Sequence, residues 1–541
     1  MVTRADVRRI AREDFGWDEL RPGQEEAVRA VLDGRDTLAV MSTGYGKSAI
    51  YQIAGVVQRG PTVVVSPLIA LQREQVEDLD HERLGGAASV SSAVRESERE
   101  EALEEVQDQT LEFLFLSPEQ LSNPEVLEDV RNARPSLLVV DEAHCISEWG
   151  HDFRPDYLKL GAVREAIGSP TVLALTATAS KPVREEIVAR LGMEDPLVLV
   201  RGFDRDNIWL GVEHFHDAAR KRRALVERVE EAEGSGIVYV ATRKRAEEVA
   251  AELAGRGVEA RAYHGGMRPA TRNATQEAFM EGALRVIVAT TAFGMGVDKP
   301  DVRWVFHLEI ADSVDSYYQE VGRSGRDGEP ARGILFYRPE DLGVRRFFAG
   351  GGLVDVDEIE AVAEAVREHR GPIDAEALRE ATDLSRSKLT TAVSRLEDVG
   401  VVEVLPTGDI RAARALRSGI ARAVERAGEA QHDREELDRS RIEMIRSYAE
   451  LREGCRREAI LNYFGEQYPA PCGHCDNCEA GRVSAAGTRP FAPGSRVAHP
   501  KWGAGDVQGY EDDEVLVLFD SVGYKRLGLE LVAERRLLEP A

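Results

Sequence analysis

Residues 37–48 read TLAVMSTGYGKS, an apolar run that turns directly into a glycine-containing loop ending in Lys47 and Ser48. This pattern predicts a buried strand, a loop and the first turn of a helix, so that backbone N–H groups and the helix N-terminus point toward bound phosphate. Met41 stands where the general G-x4-G-K-[ST] pattern has its first glycine, so the match is partial. The residues predicted to bind the phosphates or Mg²⁺ are Thr43, Gly44, Gly46, Lys47 and Ser48.

A second apolar run, Leu137–Val140, ends in the carboxylates Asp141 and Glu142. Asp141 is predicted to hold Mg²⁺ and Glu142 to activate the attacking water. Either motif alone could be a helix cap or a solvated acidic loop. The two motifs together, on separate strands, indicate a site that hydrolyses a nucleoside triphosphate.

Short β-branched runs alternate with helical patterns from Thr37 to Tyr337, which predicts two doubly wound α/β domains with a cleft between them. The strands predicted for the first domain are Thr37–Val40, Thr62–Val65, Phe113–Leu116, Leu137–Val140 and Val172–Leu175. Those predicted for the second are Gly236–Val240, Ala260–Tyr263, Val286–Thr290, Trp304–His307 and Gly333–Tyr337.

The second α/β domain contains the sequence QEVGRSGR at residues 319–326. Arg326 is predicted to be an arginine finger that stabilises charge on the transferring phosphoryl group, and Arg323 to contact the γ-phosphate. Gln319 belongs to the same predicted catalytic set. A surface charge pair remains the alternative for each arginine.

Length and charge limit the possible classes of protein. A chain of 541 residues predicts three to four domains, and a net charge of −26 means that a nucleic acid would bind only in a local basic groove. No apolar run in the sequence approaches the length of a membrane span, so we expect no membrane partner and a cytoplasmic location.

Residues 356–412 change character, with three short helical patterns followed by two strands around Pro406-Thr407-Gly408. This layout predicts a winged helix whose recognition helix, Ser385–Leu396, carries three basic residues toward DNA, namely Arg386, Lys388 and Arg395. A helical connector with a charged, solvated face is the alternative.

Four of the five cysteines have the spacing C-x16-C-x2-C-x2-C, which suits a closed tetrahedral Zn²⁺ site with a structural role. The predicted ligands are Cys455, Cys472, Cys475 and Cys478. Beyond them, a Gly/Ala/Ser/Pro-rich linker leads to four strand-like segments that predict a small β-barrel.

The motif series in residues 14–345 resembles that of RecQ-type helicases of superfamily 2. It includes the phosphate loop, SPLIAL at 66–71, DEAH at 141–144, TAT at 176–178, YHGGM at 263–267 and the arginine motif. The most specific part is CISEWGHDFRP at 145–155, which is similar to the aromatic-rich loop of that family. The resemblance implies that Arg21 and Gln24 recognise adenine with Trp17 stacking on it, and that Trp149, Phe153 and Arg154 sense single-stranded DNA. Trp149 and Phe153 could instead be core residues.

The fold class that follows is α/β, with two tandem RecA-like domains at 1–205 and 206–348. A winged helix at 349–412, a helical zinc-binding module at 413–480, a linker at 481–494 and a small SH3/Tudor-like β-barrel at 495–541 complete the expected layout. The zinc module resembles that of RecQ proteins, but the winged helix precedes it instead of following it. The barrel resembles the Tudor-like tail of UvrD-type helicases.

These observations predict an ATP-dependent DNA helicase using ATP, Mg²⁺ and Zn²⁺, with 3′→5′ polarity implied by the resemblance alone. An RNA-dependent ATPase and a DNA-binding scaffold with weak ATPase are the alternatives. The acidic barrel is expected to bind a protein, RNA polymerase or a repair protein, through Trp502, Phe519 and Tyr524, unless these aromatics fill its own core. Removal of residues 490–541 is then expected to leave unwinding intact.

Overall fold

The computed structural model describes residues 4–67, 72, 75–76, 79, 86–91, 94–147, 154–294, 299–343, 354–414, 416, 420–466, 468–483, 489–511 and 513–541. The chain divides into two compact units, one of residues 1–201 with 351–435 and one of residues 202–350 with 436–541. In the described part of the chain, no helix combines the length and the apolar character needed to cross a membrane.

The first unit is built on a parallel sheet with the order β3-β4-β2-β5-β6-β1-β7 among its described strands. The inner strands are apolar and fully buried because helices cover both faces. The strands are β1 (Thr37–Met41), β2 (Thr62–Val65), β3 (Ala87–Val90), β4 (Phe113–Leu116), β5 (Leu137–Val140), β6 (Thr171–Thr176) and β7 (Leu197–Arg201).

Seven described helices accompany this sheet, and α3 begins at Ser48, directly after the phosphate loop. They are α1 (Arg4–Glu13), α2 (Gln24–Leu32), α3 (Ser48–Val57), α4 (Glu96–Gln107), α5 (Pro124–Ala133), α6 (Leu160–Ala166) and α7 (Lys181–Arg190). The carboxyl ends of β1 and β5 lie at the same edge, which brings the phosphate loop and Asp141 to one side of the sheet.

The second unit begins with another parallel sheet, whose described strands have the order β10-β11-β9-β12-β13-β8. They are β8 (Ile208–His214), β9 (Ser235–Tyr239), β10 (Ala260–Tyr263), β11 (Val286–Ala289), β12 (Val302–His307) and β13 (Ala331–Tyr337). The accompanying helices are α8 (Ala218–Glu231), α9 (Arg243–Gly255), α10 (Pro269–Met280) and α11 (Val314–Val321).

The predicted winged-helix region has three helices and a two-stranded hairpin around one apolar core. The elements are α12 (Val356–Glu368), α13 (Ala375–Thr382), α14 (Arg386–Asp398), β14 (Val402–Val404) and β15 (Ile410–Ala412). Arg190 at the end of α7 bonds three residues of α14, so this region is docked on the first sheet's helices; the partners are Ser394, Glu397 and Asp398.

The remaining elements are the long helix α15 (Ile420–Glu450), α16 (Arg456–Phe464), the one-turn α17 (Asp476–Glu479) and a C-terminal antiparallel sheet. The described order of that sheet is β19-β18-β17-β16-β20. Its members are β16 (Arg496–His499), β17 (Gly503–Glu511), β18 (Glu514–Phe519), β19 (Gly523–Gly528) and β20 (Glu539–Pro540), with α18 (Leu529–Arg535) before the last strand.

The predicted fold class is confirmed, but the sequence missed three strands of the parallel sheets, β3, β7 and β8. Of the two alternatives for the C-terminal aromatics, an exposed surface and a packed interior, the second holds for Phe519 and Tyr524, which are buried. Trp502 is half-buried and stacks on the His499 ring with centroids 4.2 Å apart.

Candidate functional site

The phosphate loop has the conformation that its sequence predicts. Gly44 and Gly46 take φ angles of +78° and +81°, a region that strains any residue with a Cβ. The Lys47 ammonium donates to the carbonyl oxygens of Met41 at 3.0 Å and Ser42 at 3.4 Å. Lys47 therefore lies at the loop it would serve, ready to exchange carbonyl partners for phosphate oxygens.

Arg21 and Gln24 contact the phosphate loop directly. The buried Gln24 amide donates to the carbonyls of Tyr45 at 3.1 Å and Gly46 at 2.8 Å, and its oxygen accepts from the Arg21 N–H at 2.7 Å. Arg21 donates to the Gly44 carbonyl at 2.5 Å, and its guanidinium lies over the Tyr45 ring at 5.5 Å. Arg21 and Gln24, which are predicted to recognise adenine, therefore also contact the backbone of the phosphate loop.

Trp17, the third residue predicted to contact the base, stacks on Phe15 with centroids 4.6 Å apart and stays half-exposed. Phe15 belongs to the core of the first unit. The core therefore fixes the plane of the indole.

The carboxylates after β5 lie in an environment that favours a bound cation. Burial and the neighbouring Glu142 raise the pKa of Asp141, and the Lys47 charge opposes that rise. The Glu142 N–H donates to Asp141 at 2.9 Å, and the Ser66 hydroxyl lies 3.5 Å from the same carboxylate. A divalent ion would favour the ionised carboxylate, so the chemistry of Asp141 fits Mg²⁺, and Ser48, at the start of α3, is the other predicted ligand.

His144 ties these carboxylates to the neighbouring strand. Its Nδ1 lies 2.8 Å from the Thr176 hydroxyl at the end of β6 and 3.3 Å from a Glu142 oxygen. Burial, aided by Lys47 and Arg154, lowers the pKa of His144 to about 3, so the ring is neutral at ordinary pH. The sequence contains both motifs, but nothing in it indicates the hydrogen bond between His144 and Thr176.

Arg154 donates to the Pro67 carbonyl at 3.1 Å, which joins the end of the aromatic-rich loop to the segment after β2. Trp149 and Phe153 lie outside the described residues. The DNA-sensing role predicted for all three remains a prediction.

The arginine motif of the second unit follows α11. Gln319 and Arg323 are buried, with Arg323 hydrogen-bonded to Tyr239, whereas Arg326 is half-buried. Arg205 and Asn207 each donate to the Gly325 carbonyl at 2.7 Å, which holds the turn between the two arginines. The burial of Arg323 shows that it also serves the packing of its own domain.

The four predicted metal ligands come together. Their sulfur atoms all lie within 4.8 Å of one another, close to the roughly 3.8 Å spacing that a tetrahedral Zn–S shell requires. Cys455 precedes α16, and Cys475 precedes α17 and bridges to Leu210 of β8. An all-sulfur set of this geometry fits structural Zn²⁺.

The basic residues of α14 have different environments. Arg386 is exposed, and Lys388 pairs with Glu358 at 2.6 Å. Arg395 is 3% exposed and donates to Gln431 at 2.7 Å, so its expected position on a DNA-facing surface is wrong. The helical period places Arg395 on the side that packs against α15.

A phosphate loop after β1 and a carboxylate pair after β5, at the same edge of a parallel sheet and separated by β6, define together with a second parallel sheet a nucleotide-hydrolysing motor of the RecA-like type. Four family models match the chain: DEAD/DEAH box helicase over 21–186, Helicase conserved C-terminal domain over 220–328, RecQ zinc-binding over 407–479 and Protein of unknown function (DUF3553) over 491–533. The chain is 37% identical over 468 residues to the probable ATP-dependent DNA helicase RecS of Bacillus subtilis, covering 86% of this chain and 90% of that protein. This chain therefore belongs to the RecQ family of helicases.

Two further relatives support this family assignment. Identity to the ATP-dependent DNA helicase RecQ of Bacillus subtilis is 32%, covering 88% of this chain and 67% of that protein. Identity to the Pasteurella multocida RecQ is 40%, covering 60% and 51%. Among solved structures, the DUF1998 helicase MrfA bound to DNA has a TM-score of 0.51 and 16% identity, covers 76% of this chain and 63% of its own, and thus shares the fold.

Proposed function

We propose that this protein is an ATP-dependent DNA helicase that couples Mg-ATP hydrolysis to 3′→5′ movement on single-stranded DNA and to duplex unwinding. Repair and recombination are the processes we propose it serves, in the cytoplasm. The observation that carries the proposal is the cluster of Lys47, Asp141, Glu142 and His144 at one sheet edge, in a RecQ-family chain with its four-cysteine site.

Each residue of the nucleotide site has a defined task in this proposal. Lys47 neutralises charge on the β- and γ-phosphates, and Glu142 orients and deprotonates the attacking water. Mg²⁺, when held by Ser48 and Asp141, supplies Lewis-acid stabilisation of phosphate charge. Arg326 is the proposed arginine finger, Arg323 is proposed to contact the γ-phosphate, and Gln319 belongs to the same proposed catalytic set.

The hydrogen bonds of the loop support a role for Arg21 and Gln24 in nucleotide recognition. Their donors hold three consecutive carbonyls, those of Gly44, Tyr45 and Gly46. An adenine base that hydrogen-bonds Arg21 or Gln24 would weaken these bonds to the carbonyls, so base binding would affect the conformation of the phosphate loop. This proposal joins adenine recognition to the geometry of hydrolysis.

The C-terminal sheet is proposed to offer its free surface to a protein, with RNA polymerase or a repair protein as the first candidates. Between residues 495 and 541, nine acidic residues outnumber six basic ones, which favours a protein over DNA. Trp502, half-buried beside Lys525, is the aromatic residue best placed for such a contact.

The experiment that tests the proposed function is steady-state ATP hydrolysis with single-stranded DNA, with RNA of the same sequence and with neither. We expect DNA to stimulate turnover and RNA not to. Arg326→Ala should keep nucleotide affinity and lose roughly 10³-fold in turnover. Equal stimulation by RNA would favour an RNA-dependent ATPase, and a lack of stimulation would favour the scaffold alternative.

A further inference from the structure

Helix α11 carries Gln319 and Glu320 and leads directly into Arg323 and Arg326. All eight of its residues are buried. The helices of the zinc module hold successive positions along it: the Tyr317 hydroxyl meets that of Tyr448 at 3.3 Å, and the Tyr318 ring packs against Phe464 at 5.3 Å. The helix is therefore fixed by contacts from outside its own α/β domain.

Asp315, in the first turn of α11, is the centre of this packing. Its Oδ2 accepts from the Tyr463 hydroxyl of α16 at 2.5 Å and from Arg441 of α15 at 3.1 Å. Asp315 is 3% exposed and Tyr463 1% exposed, so neither group has water as an alternative partner. Burial, with the Asp315 carboxylate, raises the pKa of Tyr463 well above its usual value, which keeps the hydroxyl protonated as a donor.

The C-terminal sheet reaches the same point. Tyr524 of β19 is 3% exposed and stacks on Tyr463 with centroids 4.9 Å apart and planes at 25°. Two glycines allow this close approach, because a Cβ at Gly523 would lie 2.3 Å from the Ser440 hydroxyl, and one at Gly509 would lie 2.3 Å from the Asn462 side chain. The sheet is thus packed against α15 and α16 and is not a detached module.

From these contacts we propose that Asp315, Tyr463 and Tyr524 are positioning residues for ATP hydrolysis, through which the C-terminal sheet fixes α11 and hence the arginine motif. This inference rests on the proposed role of Arg326. We therefore expect removal of residues 490–541 to impair unwinding, contrary to the expectation from the sequence. Without Tyr524, the Tyr463 ring would be exposed, and its hydroxyl would no longer be held in position to donate to Asp315.

A second series of bonds extends the hold on α11 toward the arginines. Glu320, one turn after Tyr317, lies 2.7 Å from His307 of β12. The His307 ring stacks on Tyr239, which is the hydrogen-bond partner of Arg323. A shift at the start of α11 would therefore be passed through packed, buried groups to Arg323.

The test compares Tyr463→Phe and Asp315→Asn with the matched control Phe519→Leu. Tyr463→Phe keeps the stacked ring and removes only the hydroxyl. Phe519 is 1% exposed in the C-terminal sheet's own core, so its variant perturbs that sheet at a different point. We expect the first two variants to lower kcat of DNA-stimulated hydrolysis roughly tenfold or more with an unchanged KM for ATP, since a misplacement of about 1 Å costs up to about 10²-fold.

Zinc content measured after denaturation shows whether each variant retains the folded module, and Tyr463→Phe decides the matter if Asp315→Asn is insoluble. In an Arg326→Ala background, Asp315→Asn should cause no further loss, because both changes act on one group. The proposal is overturned if the Tyr463 and Asp315 variants match Phe519→Leu, if KM alone changes, or if the losses multiply. Normal turnover of Arg326→Ala itself would instead overturn the finger and, with it, this inference.

Discussion

Arg456→Met tests the account of the zinc module most quantitatively. The guanidinium bonds Asp476 at 2.5 Å, the Tyr448 carbonyl at 2.8 Å and the Leu451 carbonyl at 3.1 Å, and the residue is 1% exposed. Methionine keeps most of the apolar volume but leaves the carboxylate and both carbonyls without these donors.

Breaking a buried ion pair costs about 3–5 kcal/mol. The Asp476 side chain is 20% exposed and still accepts from the Val212 N–H, so we take the lower end, about 3 kcal/mol. This difference corresponds to roughly a hundredfold greater population of the opened module. Zinc transfer to a chromophoric chelator should accelerate by about the same factor, because the chelator reaches the metal in the opened state.

Arg489→Met is the matched control for this prediction. Arg489 pairs with Glu458 at 3.0 Å; the Glu458 side chain is only 10% exposed, but water screens the 39% exposed guanidinium, so we expect its loss to cost about 1 kcal/mol or less. Zinc release should then change less than about fivefold. If Arg456→Met released zinc no faster than Arg489→Met, the reasoning on buried donors would be refuted.

Three further predictions concern the metal, the DNA loop and pH. Cys475→Ala should give insoluble or protease-sensitive protein, because zinc binding is part of the folding free energy; a well-folded variant without zinc would contradict this. Replacing Trp149 or Phe153 by Ala should reduce maximal DNA stimulation of hydrolysis while basal hydrolysis survives; weaker apparent DNA affinity alone would show a plain binding surface. The pKa of His144 is lowered to about 3 in the folded protein, so the unfolded chain takes up its proton first as pH falls below about 6.5. The contribution of the neutral ring to folding stability is therefore full above about pH 6.5 and is lost as pH falls toward 3. His144→Gln should flatten that part of the acid-unfolding curve followed by circular dichroism, and an unchanged curve would contradict the assignment.

The strands predicted most reliably from the sequence are those buried on both faces of the sheet. Thr62–Val65, Phe113–Leu116 and Leu137–Val140 match the structure residue for residue, because apolar neighbours cover both faces of each strand. Ala87–Val90 was missed because AASV is not an apolar run, whereas Leu197–Arg201, a partly exposed edge strand, was missed although LVLVR is one.

The candidate site could be predicted from local sequence motifs, whereas the long-range packing contacts could not. The cysteines and the phosphate loop have fixed spacings that report their chemistry directly. The bond between Asp315 and Tyr463 joins residues 148 positions apart, and nothing in either neighbourhood indicates the other. Arg395 was misassigned for the same reason, because its Gln431 partner lies 36 residues away.

Strand separation on 3′-tailed, 5′-tailed and blunt duplexes, with ATP and Mg²⁺, decides whether this protein is an ATP-driven 3′→5′ helicase. Lys47→Ala serves as the control, since it should bind DNA but hydrolyse no ATP. We predict unwinding of the 3′-tailed duplex by the unaltered protein and none by the Lys47 variant. Unwinding that persists in the Lys47 variant, or that is confined to 5′-tailed duplexes, would contradict an ATP-driven 3′→5′ helicase.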